Sequence, residues 1–242
     1  MAYWLPDSRF EMPELFIPGR KPTRPVQVDK THPLAKGLCR AVLGRPVDLM
    51  QSKPLVTSNW PSSYGIDGQH GQIMSGDGGV RYVDLDTTYC GPVPGFTFAV
   101  LVRANSNYRE GFVGNYASGG AQNRAMFRGN SGHQFYLGNA STGAWLGPAY
   151  SPNGHTTGEW TFLIARWNGT QVQVFQDGDW GTAQSASTTF DMSSRSLKIG
   201  YEGSSQAGPD ADFALVYVWD RGLSDDECMR LYRNPYQMMI PA

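Results

Sequence analysis

Short apolar runs separated by turn residues follow one another through the second half of the chain, which is the pattern of many β-strands. The longest runs, Phe96–Arg103 and Asp212–Trp219, are apolar at nearly every position. Trp160–Arg166 and Gln171–Gln176 flank an Asn-Gly pair, which is a strong hairpin signal. The same criteria predict strands at Ala35–Leu43, Gly79–Leu85, Glu110–Tyr116, Arg124–Arg128, His133–Leu137 and Ser196–Gly200. The chain is therefore predicted to be all-β.

The strand Asp212–Trp219 predicts a structure with more than two layers. Strict alternation would place Phe213, Leu215, Tyr217 and Trp219 on one face, and Ala214, Val216 and Val218 on the other. Both faces are apolar, so one must pack on an opposing sheet and the other needs a second cover. We expect that cover to come from the N-terminal segment or from the C-terminal helix.

The end of the chain carries the signals of a short helix. Ser224 and Glu227 form a capping box, in which each side chain accepts a hydrogen bond from the backbone of the other. Asn234-Pro235 ends the pattern, so we predict a helix over about residues 225–233. Because the strands do not alternate with helices, they predict a sandwich or a barrel.

Residues 1–35 differ from the rest of the chain. Prolines recur at short intervals, which prevents a helix and favours an extended backbone. The segment also carries large apolar side chains that a disordered linker would lack. We interpret residues 1–35 as an extended arm that packs on its own domain or on a neighbouring subunit, and residues 36–242 as one domain. The residues predicted to dock are Trp4, Phe10, Leu15, Phe16 and Ile17.

Composition and charge narrow the classes of function. Charged residues make up 17% of the 242 residues and the net charge is −1, so nucleic-acid binding is not expected. The chain has no apolar run of membrane-spanning length and no signal peptide, which predicts synthesis in the cytosol without membrane insertion. Cys39, Cys90 and Cys228 are far apart in sequence, and we expect small buried side chains rather than a disulfide framework or a zinc site.

Four segments, taken in order, resemble the LamG-like jelly rolls of the concanavalin A-like lectin/glucanase superfamily. Phe96–Val102 resembles an early core strand, and Glu159–Gly178 resembles the central hairpin, which ends in Asp-Gly. Leu197–Gly200 resembles the following strand, and Asp212–Tyr232 resembles the closing strand with its capped helix. His32–Leu38 is similar to the start of such domains in bacterial-virus proteins. The resemblance implies an all-β, two-sheet antiparallel jelly-roll sandwich.

The residues give no support for catalysis. Glucanases of this superfamily place their carboxylates as Glu-x-Asp-x-(x)-Glu on one strand, and none of the six glutamates here begins such a pair. Asp84 and Asp86 would share a strand face, but a polar strand end explains them more simply. The four histidines are scattered, and no Gly-x-Ser-x-Gly motif occurs. We predict that the chain is not an enzyme.

Calcium is the metal that the resemblance suggests, because LamG-like domains often bind it at loop carboxylates. Asp177/Asp179 and Asp210/Asp212 are Asp-x-Asp pairs beside strand ends. Calcium takes six to eight oxygen ligands, however, and Asp before Gly usually serves turn geometry. The pairs alone assign no ligands, so we predict no metal and no cofactor.

Aromatic residues among small polar ones suggest a sugar-binding surface. The stretch Gly138–Thr157 carries Trp145 and Tyr150 among Asn, Ser and Thr, and Tyr116 and Trp180 lie beside turns. The alternative is that these side chains plug the edge of the sandwich. The candidate glycan-binding residues are therefore Trp145, Tyr150, Tyr116 and Trp180.

Two hypotheses about function follow. The preferred one is a non-enzymatic structural protein of a tailed-bacteriophage virion: a capsid decoration protein, minor capsid protein or other outer component. It would attach through its arm, with the major capsid protein as its expected partner, and form a symmetric homo-oligomer. The alternative is a carbohydrate-binding module that recognises glycans on the host surface. The first rests on the resemblance, the missing export signal and the apolar arm.

Overall fold

The structure is a computed structural model. It describes residues 21–22, 25–58, 63–76, 82–87, 90–106, 110–115, 124–129, 132–154, 156–200 and 210–242. The predicted docking residues Trp4, Phe10, Leu15, Phe16 and Ile17 lie outside the described residues, as does Tyr116.

The described chain consists of short strands with one α-helix near its end. The strands are β1 (Val26–Val28), β2 (Leu38–Val42), β3 (Val47–Asp48), β4 (Lys53–Pro54), β5 (Val56–Ser58), β6 (Ser63–Asp67), β7 (Gly71–Ser75), β8 (Tyr82–Asp84), β9 (Pro92–Val93), β10 (Phe96–Ala104), β11 (Glu110–Gly114), β12 (Ala125–Gly129), β13 (Gly132–Gly138), β14 (Trp145–Gly154), β15 (Trp160–Trp167), β16 (Gln171–Gln176), β17 (Asp179–Trp180), β18 (Gln184–Ser185), β19 (Phe190–Asp191), β20 (Lys198–Ile199), β21 (Ala211–Trp219) and β22 (Met239–Pro241). The helix α1 spans Asp225–Arg233, and 3-10 turns span Pro33–Ala35 and Met192–Ser194.

Two antiparallel sheets form the body of the domain. In the described residues the first sheet runs β17-β16-β15-β10-β21-β7-β6, with β18 beside β16 and β2 beside β21. The second sheet runs β14-β13-β12-β11-β20-β8-β5. The strands predicted between residues 96 and 219 are confirmed over the residues that the structure describes. The sequence does not predict β14 or the two-residue strands β17, β18 and β19. No helix in the described ranges is long and apolar enough to cross a membrane.

The inner core lies between the two sheets and is rich in phenylalanine. Phe96 and Phe98 of β10 meet Phe135 of β13, with ring centroids 5.8 and 6.0 Å apart and rings nearly perpendicular. Edge-to-face pairs of this kind add roughly 0.5–1.5 kcal/mol each beyond the burial of their area. The aromatic content seen in the sequence therefore holds the sheets together.

A second core lies on the other face of the first sheet. There Leu215, Tyr217 and Trp219 of β21 are buried beneath α1 and the segments on either side of it. The helix begins at Ser224, and both hydrogen bonds of the predicted capping box are present. Leu34, from the N-terminal side, packs in the same cluster and accepts a hydrogen bond from the Trp219 indole at 2.7 Å. Both expected covers therefore contribute to the third layer.

The predicted faces of β21 are wrong for two residues, Phe213 and Ala214, which exchange faces. Phe213 does not share a face with Leu215, because it lies in the inner core with Val216. A β-bulge shifts the pairing with β10 between Leu101 and Val102, so that Ala214 is an extra residue. A bulge interrupts the two-residue alternation of side chains. Phe213 can therefore place its ring in the inner core while the residues from Leu215 onward keep the two-residue alternation of their side chains.

Lys21 fills the gap that the bulge leaves at the edge of β21. Its side chain is 5% exposed, and Nζ donates to the carbonyl oxygen of Ala214 at 3.2 Å and to that of Gln72. On this edge β2 pairs with residues 216–219 and β7 pairs with residues 212–213, so the Ala214 carbonyl lies between them. The ammonium group thus satisfies a backbone acceptor that no strand reaches.

The first and last strands of the described chain meet beside this third layer. β1 and β22 pair antiparallel, with Val26 opposite Pro241, and the Ala242 amide donates to the Pro25 carbonyl at 3.2 Å. Residues 25–35 therefore pack on the domain, with Val28 and Leu34 buried. The division of the chain at residue 35 stays a prediction.

Candidate functional site

The outer face of the second sheet carries a group of polar and aromatic side chains. Three strands form this part of the sheet, with β14 at the edge, β13 beside it and β12 next. Ala149 and Phe135 are buried in the inner core, so Tyr150 and Gln134, which follow and precede them and oppose each other, face outward. Tyr136 lies between two inward-facing residues of β13 and shares that outer face.

Trp145 and Tyr150 both lie on β14. Trp145 opposes Gly138 of β13, and its indole meets the Tyr136 ring edge-on, with centroids 6.0 Å apart and an interplanar angle of 77°. Tyr150 is 51% exposed, whereas Tyr136 and Trp145 are half-buried. The structure therefore brings two of the four predicted glycan-binding residues to one surface and adds a third aromatic ring.

A hydrogen-bonded group fixes the Tyr136 ring. Arg128 of β12 donates from Nε and Nη2 to Gln134 Oε1, both at 3.2 Å, and from Nη2 to the Tyr136 hydroxyl at 3.1 Å. The hydroxyl donates to Gln134 Oε1 at 3.0 Å. Arg128 and Gln134 are buried, and their hydrogen bonds hold the group in one arrangement. We call Arg128, Gln134, Tyr136, Trp145 and Tyr150 the aromatic platform.

The platform lies at the edge where the two sheets close on each other. β14 packs against β16, β17 and β18 of the first sheet. A Cβ atom on Gly181 would lie 1.9 Å from the Tyr150 carbonyl oxygen, so only glycine permits this approach of the two backbones. The contact holds the backbone of Tyr150 while its ring stays open to solvent.

Trp180 lies on a different surface from the platform. It opposes Phe175 on the outer face of the first sheet, where the two rings are 5.1 Å apart. The Arg166 guanidinium lies 4.2 Å from its ring centre, on the side of the molecule that carries α1. Because Phe175 belongs to the second core, the two sheets separate Trp180 from Trp145 and Tyr150.

The carboxylates weighed for catalysis do not form a pair. β8 ends at Asp84, and Asp86 follows in a turn with φ of 49°, so the two do not share a strand face. Asp84 Oδ1 accepts the Asp86 amide at 2.8 Å and the Ser196 hydroxyl, while Asp86 lies 3.2 Å from Lys53 Nζ. The polar strand end is therefore the correct interpretation.

One carboxylate of each Asp-x-Asp pair makes a structural contact. Asp212 Oδ2 lies 2.6 Å from Arg103 Nη2. Asp177 occupies a turn with φ of 49° and accepts the Phe162 amide at 2.8 Å, and burial raises the pKa of its carboxyl. Within the described ranges, no three or more His, Cys, Asp or Glu side chains are grouped as metal ligands. Asp177 and Asp212 therefore each have a structural partner in the described chain.

Sequence reasoning did not find Arg128, Gln134 or Tyr136. The signal was present in His133–Leu137, where the polar Gln134 and Tyr136 alternate with apolar residues. Such alternation is typical of a strand with one buried face. The polar face of this strand is the outer face of the sheet, on which Trp145 and Tyr150 also lie.

The comparison with known protein families agrees with the jelly-roll fold of the two sheets. The family model Laminin_G_3, described as the concanavalin A-like lectin/glucanases superfamily, matches residues 77–228. The match spans more than half of the chain, and the chain belongs to this family. The predicted concanavalin A-like jelly roll is confirmed. Among curated proteins, no sequence matches the chain.

Solved structures with the same fold include several binding domains. Domain 4 of AbnA, a GH43 extracellular arabinanase from Geobacillus stearothermophilus solved with arabinotriose, is 12% identical, with a TM-score of 0.63 over 81% of this chain and 98% of that one. The binding domain of Paraclostridial Mosquitocidal Protein 1 is 11% identical, with a TM-score of 0.64 over 82% of this chain and 52% of that one. The Botulinum neurotoxin serotype G binding domain is 7% identical, with a TM-score of 0.61 over 81% and 50%. This chain thus spans about half of each toxin domain, and the likeness shows a lectin-like fold.

Proposed function

We propose that this chain is a non-catalytic carbohydrate-binding domain and that the aromatic platform is its glycan site. The observation that carries the proposal is that the exposed Tyr150 ring shares one sheet face with the half-buried Trp145 and Tyr136 rings. Sugar rings have apolar faces and polar edges. Aromatic side chains with polar tips can cover the former while nearby amides and guanidinium groups bind the latter.

The hydrogen-bonded polar group supplies the second feature of such a site, which is polar side chains held in fixed positions. Arg128, Gln134 and Tyr136 are held by mutual hydrogen bonds, so a ligand would meet groups already in position. A site that is ordered in advance loses less conformational entropy on binding. The arabinotriose complex of the AbnA domain supports the proposal as an example of an oligosaccharide ligand on a domain of this fold.

A glycan array with the full-length chain tests this proposal. Tyr150→Ala and Trp145→Ala should each weaken binding to any glycan that the native chain retains, by about tenfold or more. Tyr64→Ala is the matched control, because Tyr64 is 52% exposed, close to the 51% of Tyr150, and lies on β6 in the other sheet. Equal loss in the control, or unchanged binding by Tyr150→Ala, would contradict the proposed site.

We further propose that the domain is displayed on a tailed-bacteriophage virion as a decoration or other outer component, attached through its N-terminal residues. The specific observation is the buried Lys21, which fixes where residues 1–20 join the domain. The apolar residues predicted to dock on the major capsid protein or on a second copy precede Lys21 in the sequence: Trp4, Phe10, Leu15, Phe16 and Ile17.

Attachment is tested by deleting residues 1–20 and no more. A deletion that extended through residue 28 would remove β1, which pairs with β22, and would expose the second core. Full-length chain should co-sediment with virus particles that lack it, and the deletion variant should not, while thermal unfolding of the two remains similar. Co-sedimentation of both forms would rule out attachment through the arm.

A further inference from the structure

Cys39 occupies a bulge in β2 and faces a loop of the second sheet. The pairing of β2 with β21 shifts between Leu38 and Arg40, which makes Cys39 the extra residue. Cys39 is buried, and its thiol hydrogen-bonds with the thiol of Cys90. Two cysteines that are 51 positions apart in sequence are therefore in side-chain contact.

The neighbouring residue Arg40 holds the two segments together. Its Nε donates to the Leu85 carbonyl and its Nη2 to the Asp86 carbonyl, both just before the loop that carries Cys90. The Cys90 amide donates to the Thr87 carbonyl at 2.9 Å, which closes that loop. The contact of the two thiols is thus fixed by backbone hydrogen bonds on both sides.

The two thiols differ in access to solvent. Cys90 is half-buried at the margin of the inner core, whereas Cys39 is 6% exposed. The hydrogen bond with Cys90 and burial both raise the pKa of the Cys39 thiol, which keeps it protonated. Cys228 lies apart from them on α1 within the second core, where burial raises the pKa of its thiol to about 12. An oxidant in solution would therefore meet Cys90 first.

We infer that Cys39 and Cys90 form a reversible disulfide when the folded chain meets a low-molecular-weight disulfide such as oxidised glutathione. An S–S bond is about 2 Å long, so thiols already in hydrogen-bond contact reach it through small side-chain rotations. The bridge would join β2 of the first sheet to the loop between β8 and β9. Such a bond would form after folding, on passage from a reducing to an oxidising environment.

The reaction is a pair of thiol–disulfide exchanges. The Cys90 thiolate attacks one sulfur of oxidised glutathione, which breaks that S–S bond, forms a mixed disulfide and releases one glutathione thiolate. The Cys39 thiol then gives up its proton as its sulfur attacks the Cys90 sulfur, which releases the second glutathione. The protons of the two cysteine thiols pass to the two released glutathiones. The protein loses two electrons and glutathione disulfide gains them.

Peptide mapping of the full-length chain tests the inference. After equilibration with oxidised glutathione under native conditions, non-reducing digestion should yield one linked pair of peptides, holding Cys39 and Cys90. The intact mass should fall by two hydrogen atoms, and the melting temperature should rise by roughly 5–10 °C, because the bridge constrains the unfolded chain. Reduction should reverse both changes.

Cys228→Ala is the matched control, and it should behave as the native chain does. Cys90→Ala should show neither the linked peptides nor the rise in melting temperature. The map of the native chain does not depend on whether any variant folds. The inference is overturned if Cys39 and Cys90 of the oxidised native chain both remain open to alkylation after unfolding. It is also overturned if only glutathione adducts form or if the linked peptides include Cys228.

Discussion

Replacing Lys21 by methionine tests whether the buried ammonium group costs the fold stability. Burial, assisted by the charge of Arg45, lowers the pKa of Lys21 from 10.5 to about 7. Methionine keeps the length and apolar stem of the side chain but has no titrating group. It also loses the hydrogen bonds to Gln72 and Ala214, a cost that does not change with pH.

The expected pH dependence follows from the protons bound in each state. Between pH 7 and pH 10 folded Lys21 has largely lost its proton, whereas the unfolded lysine still carries one. Stability therefore rises with pH over this window, by up to 1.36 kcal/mol per pH unit. From pH 7 to pH 10 the native chain should gain about 3–4 kcal/mol relative to Lys21→Met. The gain ends as the pH approaches 10.5, the value for the unfolded side chain.

Urea unfolding of both proteins at several pH values between 6 and 10.5 measures this difference. Comparing the two chains cancels the groups that they share, so the change in their stability difference reports Lys21 alone. A difference that stays constant across the range would refute the reasoning. It would show that the two carbonyl acceptors offset the cost of burying the charge and that Lys21 stays protonated.

Three further substitutions have expected effects of known sign. Tyr217 donates from its hydroxyl to the Pro235 carbonyl at 2.9 Å, whereas the Tyr236 hydroxyl is buried with no hydrogen-bond partner in the described structure. Tyr217→Phe should therefore cost about 1 kcal/mol in urea unfolding, while Tyr236→Phe should be neutral or stabilising, and the reverse order would contradict the assignment. Ser224→Ala removes the acceptor for the Glu227 amide and should cost about 1 kcal/mol, with the native chain as reference.

Local signals in the sequence predicted those parts of the fold that depend on neighbours along the chain. The capping box at Ser224 and Glu227 located α1 within a residue or two, because its hydrogen bonds join residues three apart. The central hairpin was predicted for the same reason. The pairing of β1 with β22 was not predicted, because its two strands are more than two hundred positions apart and each is only three residues long.

The bulges mark the limit of prediction from periodicity. Whether Phe213 shares a sheet face with Leu215 or with Val216 depends on the one-residue bulge against β10. The sequence of β21 does not specify that bulge by itself. The same limit applies to the site. Trp145 and Trp180 both have aromatic and small polar neighbours in sequence. They nevertheless lie on the outer faces of different sheets, so of the two only Trp145 belongs to the aromatic platform.

The contact between Pro25 and Ala242 makes this domain suitable as an insert in a host protein. A unit whose entry and exit points lie side by side can be spliced into a surface turn of a larger scaffold without stretching either partner. The same geometry would let a circularly permuted version of residues 25–242, cut at a distant hairpin and joined from Ala242 to Pro25 by a brief linker, keep both cores. Cargo joined directly before Pro25 would therefore emerge next to cargo joined after Ala242.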